Sequence, residues 1–462
     1  MKTIQMICSK RGEAPFRQTQ VAFQPDLSGQ EMQLVLVYPD VQRQTIQGFG
    51  GAFTQAAAQN YAAMTVQTQE KFLAACFSAE GLGYTLGRMP VGSCDFSETG
   101  SVSYCDKEND TELASFSVEQ DEAELLPLIY AAQTATDSTL RLMASPWSPP
   151  AWMKDTGEML RGGKLLPEFY ACYAAYLVKF LLAYREKGVP IAWLTVQNEP
   201  MAVQSWESCI YTAEDELAFL QDALLSALAA EELNTGVFVW DHNKEQVFLR
   251  ARKLFADETV RQQIAGLAFH WYSGDHFENL RLFCEAYPEK ELFFTEGCVE
   301  LTNSTTMSQK LAQKEGVEDT LNGAWSLGEI YAHDMIGNFN HGMTAFFDWN
   351  LLLDERGGPN HQGNYCSAPL LYDRSRDMLV PQSSYYFIAH FSRYVLPGSV
   401  LIAHSSYTGE LKLSSFLRPD GQVCIVVLNE TMREIPFTLK DTEGEGIAAL
   451  CAAAQSITTY LY

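Results

Sequence analysis

Two carboxylates, each closing a short apolar run, are the residues of this chain best placed to do chemistry. Trp193-Leu-Thr-Val-Gln-Asn-Glu-Pro200 passes from apolar residues into an amide, an acid and a proline, and Leu292-Phe-Phe-Thr-Glu-Gly297 ends in the same manner. A parallel strand buried on both faces reads as such a continuous apolar run. Glu199 and Glu296 would then stand at strand C-termini, where barrels of parallel strands keep their active sites. Two acids on one rim can cleave a glycosidic bond: one protonated to release the leaving oxygen, the other ionised to attack or stabilise the anomeric carbon. The negative charge of Glu296 is expected to raise the pKa of Glu199 and keep it protonated at rest. On these stretches alone the plainer reading, two structural acids of which one caps a helix, stays open.

Aromatic residues add to the pattern. Pro146-Trp-Ser-Pro-Pro-Ala-Trp152, His270-Trp-Tyr272 and Asp348-Trp-Asn350 each follow an apolar run. Sugars present C–H surfaces to aromatic faces and hydroxyls to polar groups, so three such clusters on one rim suit a carbohydrate.

The elements that must carry these residues alternate between strand-like and helix-like stretches. Candidate strands are Ile46–Gly51, Tyr84–Met89, Leu140–Ser145, Ala192–Gln197, Val237–Trp240, Gly266–Trp271, Leu292–Thr295 and Met343–Phe347. Amphipathic segments such as Glu168–Lys187 and Glu214–Glu232 lie between them. Eight strands alternating with helices predict an α/β (β/α)8 barrel over residues 45–394. Residues 1–44 and 395–462 read instead as β structure. Val21-Ala-Phe23 and Leu34-Val-Leu-Val37 flank a Ser28-Gly29 turn as an antiparallel pair, and Pro419-Asp-Gly421 separates Leu411–Phe416 from Val423–Leu428. Both chain ends are expected to meet in one β-sandwich beside the barrel.

Composition narrows the partners. With 462 residues, 47% apolar, the chain can bury a large core, and its formal net charge of -25 repels nucleic acid and anionic bilayers. No apolar run reaches the length of a membrane span, and the first 13 residues lack the apolar core of a secretory signal, which predicts a cytoplasmic protein. The 11 cysteines, an odd number without a Cys-x-x-Cys pair, read as reduced thiols. Gly48-Phe-Gly50 lacks the third glycine of a dinucleotide fingerprint, and neither a phosphate loop, Gly-x-Ser-x-Gly nor His-Glu-x-x-His occurs. No cofactor and no metal is expected. A small-molecule β-glycoside is the expected partner, with no nucleic acid and no stable membrane association. A sugar-binding protein without turnover is the alternative of another class.

The order of these motifs resembles the family 30 glycoside hydrolases, the glucosylceramidase-like group. The likeness runs through Gln47-Gly-Phe-Gly-Gly-Ala-Phe53, Arg88-Met-Pro-Val-Gly-Ser-Cys-Asp-Phe-Ser97, Ser145-Pro-Trp-Ser-Pro-Pro-Ala-Trp-Met-Lys154 and Gln197-Asn-Glu-Pro200 with Trp206-Glu-Ser-Cys209. It continues in His270-Trp-Tyr272, Thr295-Glu296, Asp348-Trp-Asn350 and Gly357-Gly-Pro-Asn360, so it spans nearly the whole chain. The resemblance implies a barrel with a β-sandwich, no metal, and a retaining mechanism with Glu199 as acid/base and Glu296 as nucleophile. It further implies that Asn198 holds the sugar 2-hydroxyl, that Asp95, Trp147, Trp349 and Asn364 grip the other hydroxyls, and that Arg88, Tyr272 and His270 support the nucleophile. The substrate expected from it is a terminal β-glucosyl, β-xylosyl or β-fucosyl residue of a small glycoside, or alternatively a glucosylceramide. The chain departs from the pattern at His361, where the human-type enzyme carries tryptophan.

Overall fold

The computed structural model describes residues 2–26, 33–98, 100–137, 139–300, 324–444 and 446–462. Eight parallel strands close into a barrel: β1 Gly48–Ala52, β2 Leu86–Val91, β3 Arg141–Pro146, β4 Ile191–Thr195, β5 Gly236–Asn243, β6 Ile264–His270, β7 Glu291–Glu296 and β8 Ala345–Asn350. Each predicted strand overlaps one of these. The closing pair is β8 on β1, with Ala345 opposite Gly48. Close approach explains part of the glycine-rich Gln47–Phe53 motif: a Cβ on Gly50 would stand 2.0 Å from the Leu86 carbonyl oxygen of β2. That motif therefore builds the barrel wall.

Strand alternation sorts the side chains into layers. Leu86, Met143, Phe238, Ala268, Phe293, Ala345 and Phe347 fill the barrel interior, with Trp193 edge-on to Phe293 at 5.1 Å between centroids. The intervening residues, such as Leu142, Phe294 and Phe346, face outward into the larger core beneath the helices. Helix Tyr170–Glu186 lies where the apolar spacing predicted it. The second predicted helix is interrupted: Ala213–Phe219 opens on a capping box between Thr212 and Asp215, a π-turn follows at Leu220–Leu224, and Leu225–Ala230 resumes the α form. No helix among the described residues is long and apolar enough to cross a membrane, and all 11 cysteines are free thiols.

Both chain ends join one nine-stranded sheet, the β-sandwich, packed beside the barrel. Its order runs Ile447–Ala452, Ile435–Asp441, Leu34–Thr45, Val400–Ser406, Lys412–Leu417, Val423–Asn429, Ser456–Leu461, Thr3–Lys10 and Arg17–Ala22. The sheet folds over on itself, since Ile447–Ala452 at one end touches Val423–Asn429 and Ser456–Leu461. A single apolar cluster that includes Ile4, Val37, Ile425, Phe437 and Tyr460 fills the fold.

The N-terminal pairing corrects the sequence reading. Arg17–Ala22 pairs with Thr3–Lys10, a strand the sequence reading omitted, and lies at one edge of the sheet. Leu34–Thr45 lies between Val400–Ser406 and Ile435–Asp441. The two segments expected to pair with each other are thus six strands apart in the sheet order, and the Ser28-Gly29 turn lies outside the described residues. Local alternation identified strands there, but partners far along the chain decided which edges met. Pro39 also falls inside a strand. Tyr38 is opposite Ala403 and Gln42 opposite Ile402, so Pro39 occupies a bulge where its missing N–H costs no ladder bond.

Candidate active site

Above the apolar layer of the barrel the inward positions become polar. Arg88, Ser145, Thr195, Asp241, His270 and Thr295 are all fully or almost fully buried, and such groups must satisfy one another. Asp241 is their hub. Its Oδ2 accepts from Arg88 Nη2 at 2.9 Å and Thr195 Oγ1 at 2.7 Å, while Oδ1 accepts from Thr295 Oγ1 at 2.6 Å and faces His270 Nε2 at 3.1 Å. Burial alone would push this carboxyl up, but Arg88 and His270 hold it far below the usual carboxylate range.

Arg88 carries that charge to the cavity. Its Nη1 donates to Glu296 Oε2 at 2.7 Å, Nη2 donates to Asn198 Oδ1 at 2.7 Å, and Nε donates to Ser145 Oγ at 3.1 Å. One planar fork therefore fixes an acid on β7 and an amide beyond β4. With Oδ1 engaged, Asn198 has its NH2 group left to donate to a ligand. Tyr272 donates its hydroxyl to the other Glu296 oxygen at 2.9 Å. Burial pushes the Tyr272 phenol well above its ordinary pKa, so it remains a donor.

Backbone irregularities aim these side chains. Register shifts occur between Phe294 and Glu296 on β7, between Trp240 and His242 on β5, and between Asp348 and Asn350 on β8. A bulge of this kind re-aims a side chain at a strand end. Trp240, Asp241 and Glu199 also adopt positive φ, at 75°, 52° and 48°, a strained choice for non-glycine residues.

Glu199 departs from the expected electrostatics. His270 Nδ1 lies 3.3 Å from its Oε1 and His242 Nδ1 3.5 Å away. Burial pushes Glu199 up, but the two imidazoles outweigh it and hold the carboxyl below the usual range. Burial pushes His270 down, yet the surrounding Glu296, Asp241 and Glu199 take it up to about 9. The direction is opposite to the expected rise, because imidazoles and not Glu296 dominate the surroundings of Glu199. The sequence reading weighed only Glu296 as a neighbour, and it did not place an imidazolium against the acid.

Eight residues singled out in the sequence line one cavity of about 460 Å³: Asp95, Trp147, Asn198, Glu199, Tyr272, Glu296, Trp349 and Asn364. Arg88 and His270 lie behind its wall. Trp147 and Trp349 stack with centroids 5.2 Å apart, and the Arg88 guanidinium is 4.8 Å from the Trp147 ring. Asn364 Nδ2 donates to Asp95 Oδ2 at 3.2 Å. Burial first, then Glu296, pushes Asp95 well above the carboxylate range. Sequence reasoning missed Asp241 and the cavity-lining His242 and Gln204. Asp241 had a signal, because it directly follows the apolar run Val237–Trp240 just as Glu199 follows its own.

The comparisons agree with this architecture. Residues 46–395 match the glycosyl hydrolase family 30 TIM-barrel domain, and residues 398–460 match the glycosyl hydrolase family 30 beta sandwich domain. The chain is 31% identical over 446 residues to the lysosomal acid glucosylceramidase of Mus musculus, covering 93% of this chain and 83% of that protein. The crystal structure of SrfJ from Salmonella typhimurium matches with a TM-score of 0.92 at 40% identity, over 100% of this chain and 99% of that one. A solved endo-β-1,6-glucanase matches with a TM-score of 0.85 at 28% identity, over 100% and 99% of the two chains. With both domains matched in order, this chain belongs to glycosyl hydrolase family 30 and is a glycoside hydrolase.

Proposed function

We propose that this hydrolase removes terminal β-linked sugars, glucose, xylose or fucose, from small glycosides with retention of configuration. The observation that carries the reading is the clamp on Glu296, whose two oxygens accept from Arg88 and Tyr272 inside a cavity that Glu199 also lines. Both donors suit a carboxylate that attacks the anomeric carbon as an anion, with Glu199 giving a proton to the leaving oxygen and later taking one from water.

The proton for the first step comes from the Glu199–His270 pair. A sugar filling the cavity removes water from around the two charges, and desolvation favours their neutral forms. The proton moves from His270 Nδ1 to Glu199 Oε1 across the 3.3 Å contact, while Nε2–H keeps its bond to Asp241. Asp95, its carboxyl pushed well above the usual range by burial, faces a sugar hydroxyl, and Asn198 offers its NH2 group to the 2-hydroxyl.

A 2-deoxy-2-fluoro-β-glycoside with a good leaving group tests the assignment. The label is expected on Glu296 in the peptide digest, and the first product anomer seen by NMR should be β. Label elsewhere, or α product first, would remove the double-displacement reading. Aryl β-glucoside, β-xyloside and β-fucoside then rank the terminal sugar, and glucosylceramide in detergent tests the lipid alternative.

Cleavage from the chain end is favoured by two ties across one side of the cavity, the Asp95–Asn364 hydrogen bond and the Trp147–Trp349 stack. The likeness to an endo-β-1,6-glucanase favours a second reading, internal cleavage of β-1,6-glucan. A linear β-1,6-gluco-oligosaccharide separates them: monosaccharide at the first time point supports the pocket, and early internal fragments support the second reading.

A further inference from the structure

We propose that Glu199, His242 and His270 form a binding site for one divalent transition-metal ion of the zinc type, and that its occupancy blocks hydrolysis. One carboxylate oxygen and two ring nitrogens, all within 4.8 Å of one another, meet there. Two edges of the triangle are 3.3 Å and 3.5 Å. Zinc bonds of about 2.0–2.1 Å put adjacent tetrahedral ligands roughly 3.3–3.4 Å apart, so these spacings accept the ion with little movement.

Three further features favour a ligand set over a simple polar contact. His270 turns its other nitrogen to Asp241 at 3.1 Å, the carboxylate-histidine arrangement that orients a metal-binding imidazole and raises its basicity. His242 Nδ1 is buried 3.5 Å from Glu199 Oε1 and makes no hydrogen bond by strict geometry. Glu199 and His242 line the cavity, with His270 behind its wall, which leaves the fourth position to water or a sugar hydroxyl. Two imidazoles suit zinc, copper or nickel, whereas magnesium and calcium take oxygen ligands. The ion would take the Glu199 oxygen that faces His270 and displace the proton between them. The binding claim stands on geometry alone, and the inhibition claim rests on the role proposed for Glu199.

Equilibrium dialysis of chelator-stripped protein against zinc, beside initial rates on an aryl β-glycoside, tests both. One ion per chain is expected, with loss of activity at the same midpoint, recovery on adding chelator and no effect of magnesium. His242→Asn should weaken zinc by at least about 100-fold, beyond the roughly 10–100-fold that loss of an outer partner costs. Each variant is read against its own metal-free rate and melting temperature. Cys366→Ser, on a thiol lining the same cavity, should leave the midpoint unchanged. The cobalt form of the unaltered protein should show nitrogen and oxygen ligation without a thiolate charge-transfer band, a readout that needs no variant. Equal zinc affinity in the parent and His242→Asn, or loss confined to Cys366→Ser, would overturn the site. Tight binding with full activity would overturn the inhibitory role. Absence of activity on every glycoside would count against the proposed function while the dialysis still decided the site.

Discussion

Two fully buried histidines, one at the barrel mouth and one at the seam with the sandwich, differ in their preference for a proton because their neighbours differ. His270 faces Asp241 at 3.1 Å and Glu199 at 3.3 Å, and its pKa is pushed up to about 9. His390, on helix Ser383–Ser392, hydrogen-bonds two hydroxyls, Thr459 Oγ1 at 2.9 Å and Ser9 Oγ at 2.8 Å, and its charged neighbour is Arg393. Thr459 donates its own proton to the His390 carbonyl, so its oxygen accepts from Nδ1–H, and Ser9 can donate to Nε2. A neutral ring is fully satisfied there, and burial takes its pKa down to about 3. Burial disfavours charge at both places, but only at the mouth do carboxylates offset it. The mouth keeps charges for chemistry, whereas the seam joins strands from the two chain ends to a barrel helix through neutral groups.

The predictions follow from that division: changes at the mouth should remove turnover while leaving the fold, and changes at the seam should do the reverse. The largest effect is expected for Glu296→Ala, with kcat down on the order of 10^5-fold and an unchanged melting temperature to within a few degrees. Azide should restore turnover and give the inverted glycosyl azide. A small loss without an azide product would detach the chemistry from β7.

Glu199→Gln comes next. Loss of general acid help should slow poor leaving groups by about 10²–10⁴-fold and activated aryl glycosides far less. Equal losses for both, measured on a series of leaving groups, would leave the imidazole cluster without its proposed proton function.

Tyr272→Phe removes one of two donors to Glu296 and should lower kcat about 10–100-fold, with KM little changed. A change confined to KM would place Tyr272 in binding instead.

The seam gives the smallest effect and the clearest pH dependence. The folded-state pKa of His390 lies below the ordinary value of 6.5, so the unfolded chain binds the extra proton first. The stability this neutral ring contributes is complete above about pH 6.5 and is lost progressively as pH falls towards 3. Between pH 7 and 5 its share of the loss is about 2 kcal/mol. Urea unfolding at the two pH values should show that difference shrink in His390→Gln, which stays neutral. An identical pH response in the variant would assign the acid sensitivity elsewhere, the half-buried His404 being another histidine pushed down, to about 4.

Much of this molecule was legible before folding. Eight apolar runs gave the barrel strands, because a strand covered on both faces cannot hide its composition. The residues just past those runs gave the cavity, because a strand C-terminus in such a barrel opens on the mouth. What remained hidden concerned partners distant in the chain. Leu34–Thr45 reads as a strand from its own residues, yet its neighbours are 400–406 and 435–441.

The sequence by itself determined which acids and aromatic residues stand just past the strands, since residue type and position past a strand are local properties. Only the tertiary structure decided their charges. His242 reaches Glu199 from β5 and His270 from β6, and Arg88 joins Glu296, Asn198 and Asp241 from three other strands or their ends. A pKa depends on the few ångströms around a group and on its loss of water, and those surroundings exist only once the barrel has closed.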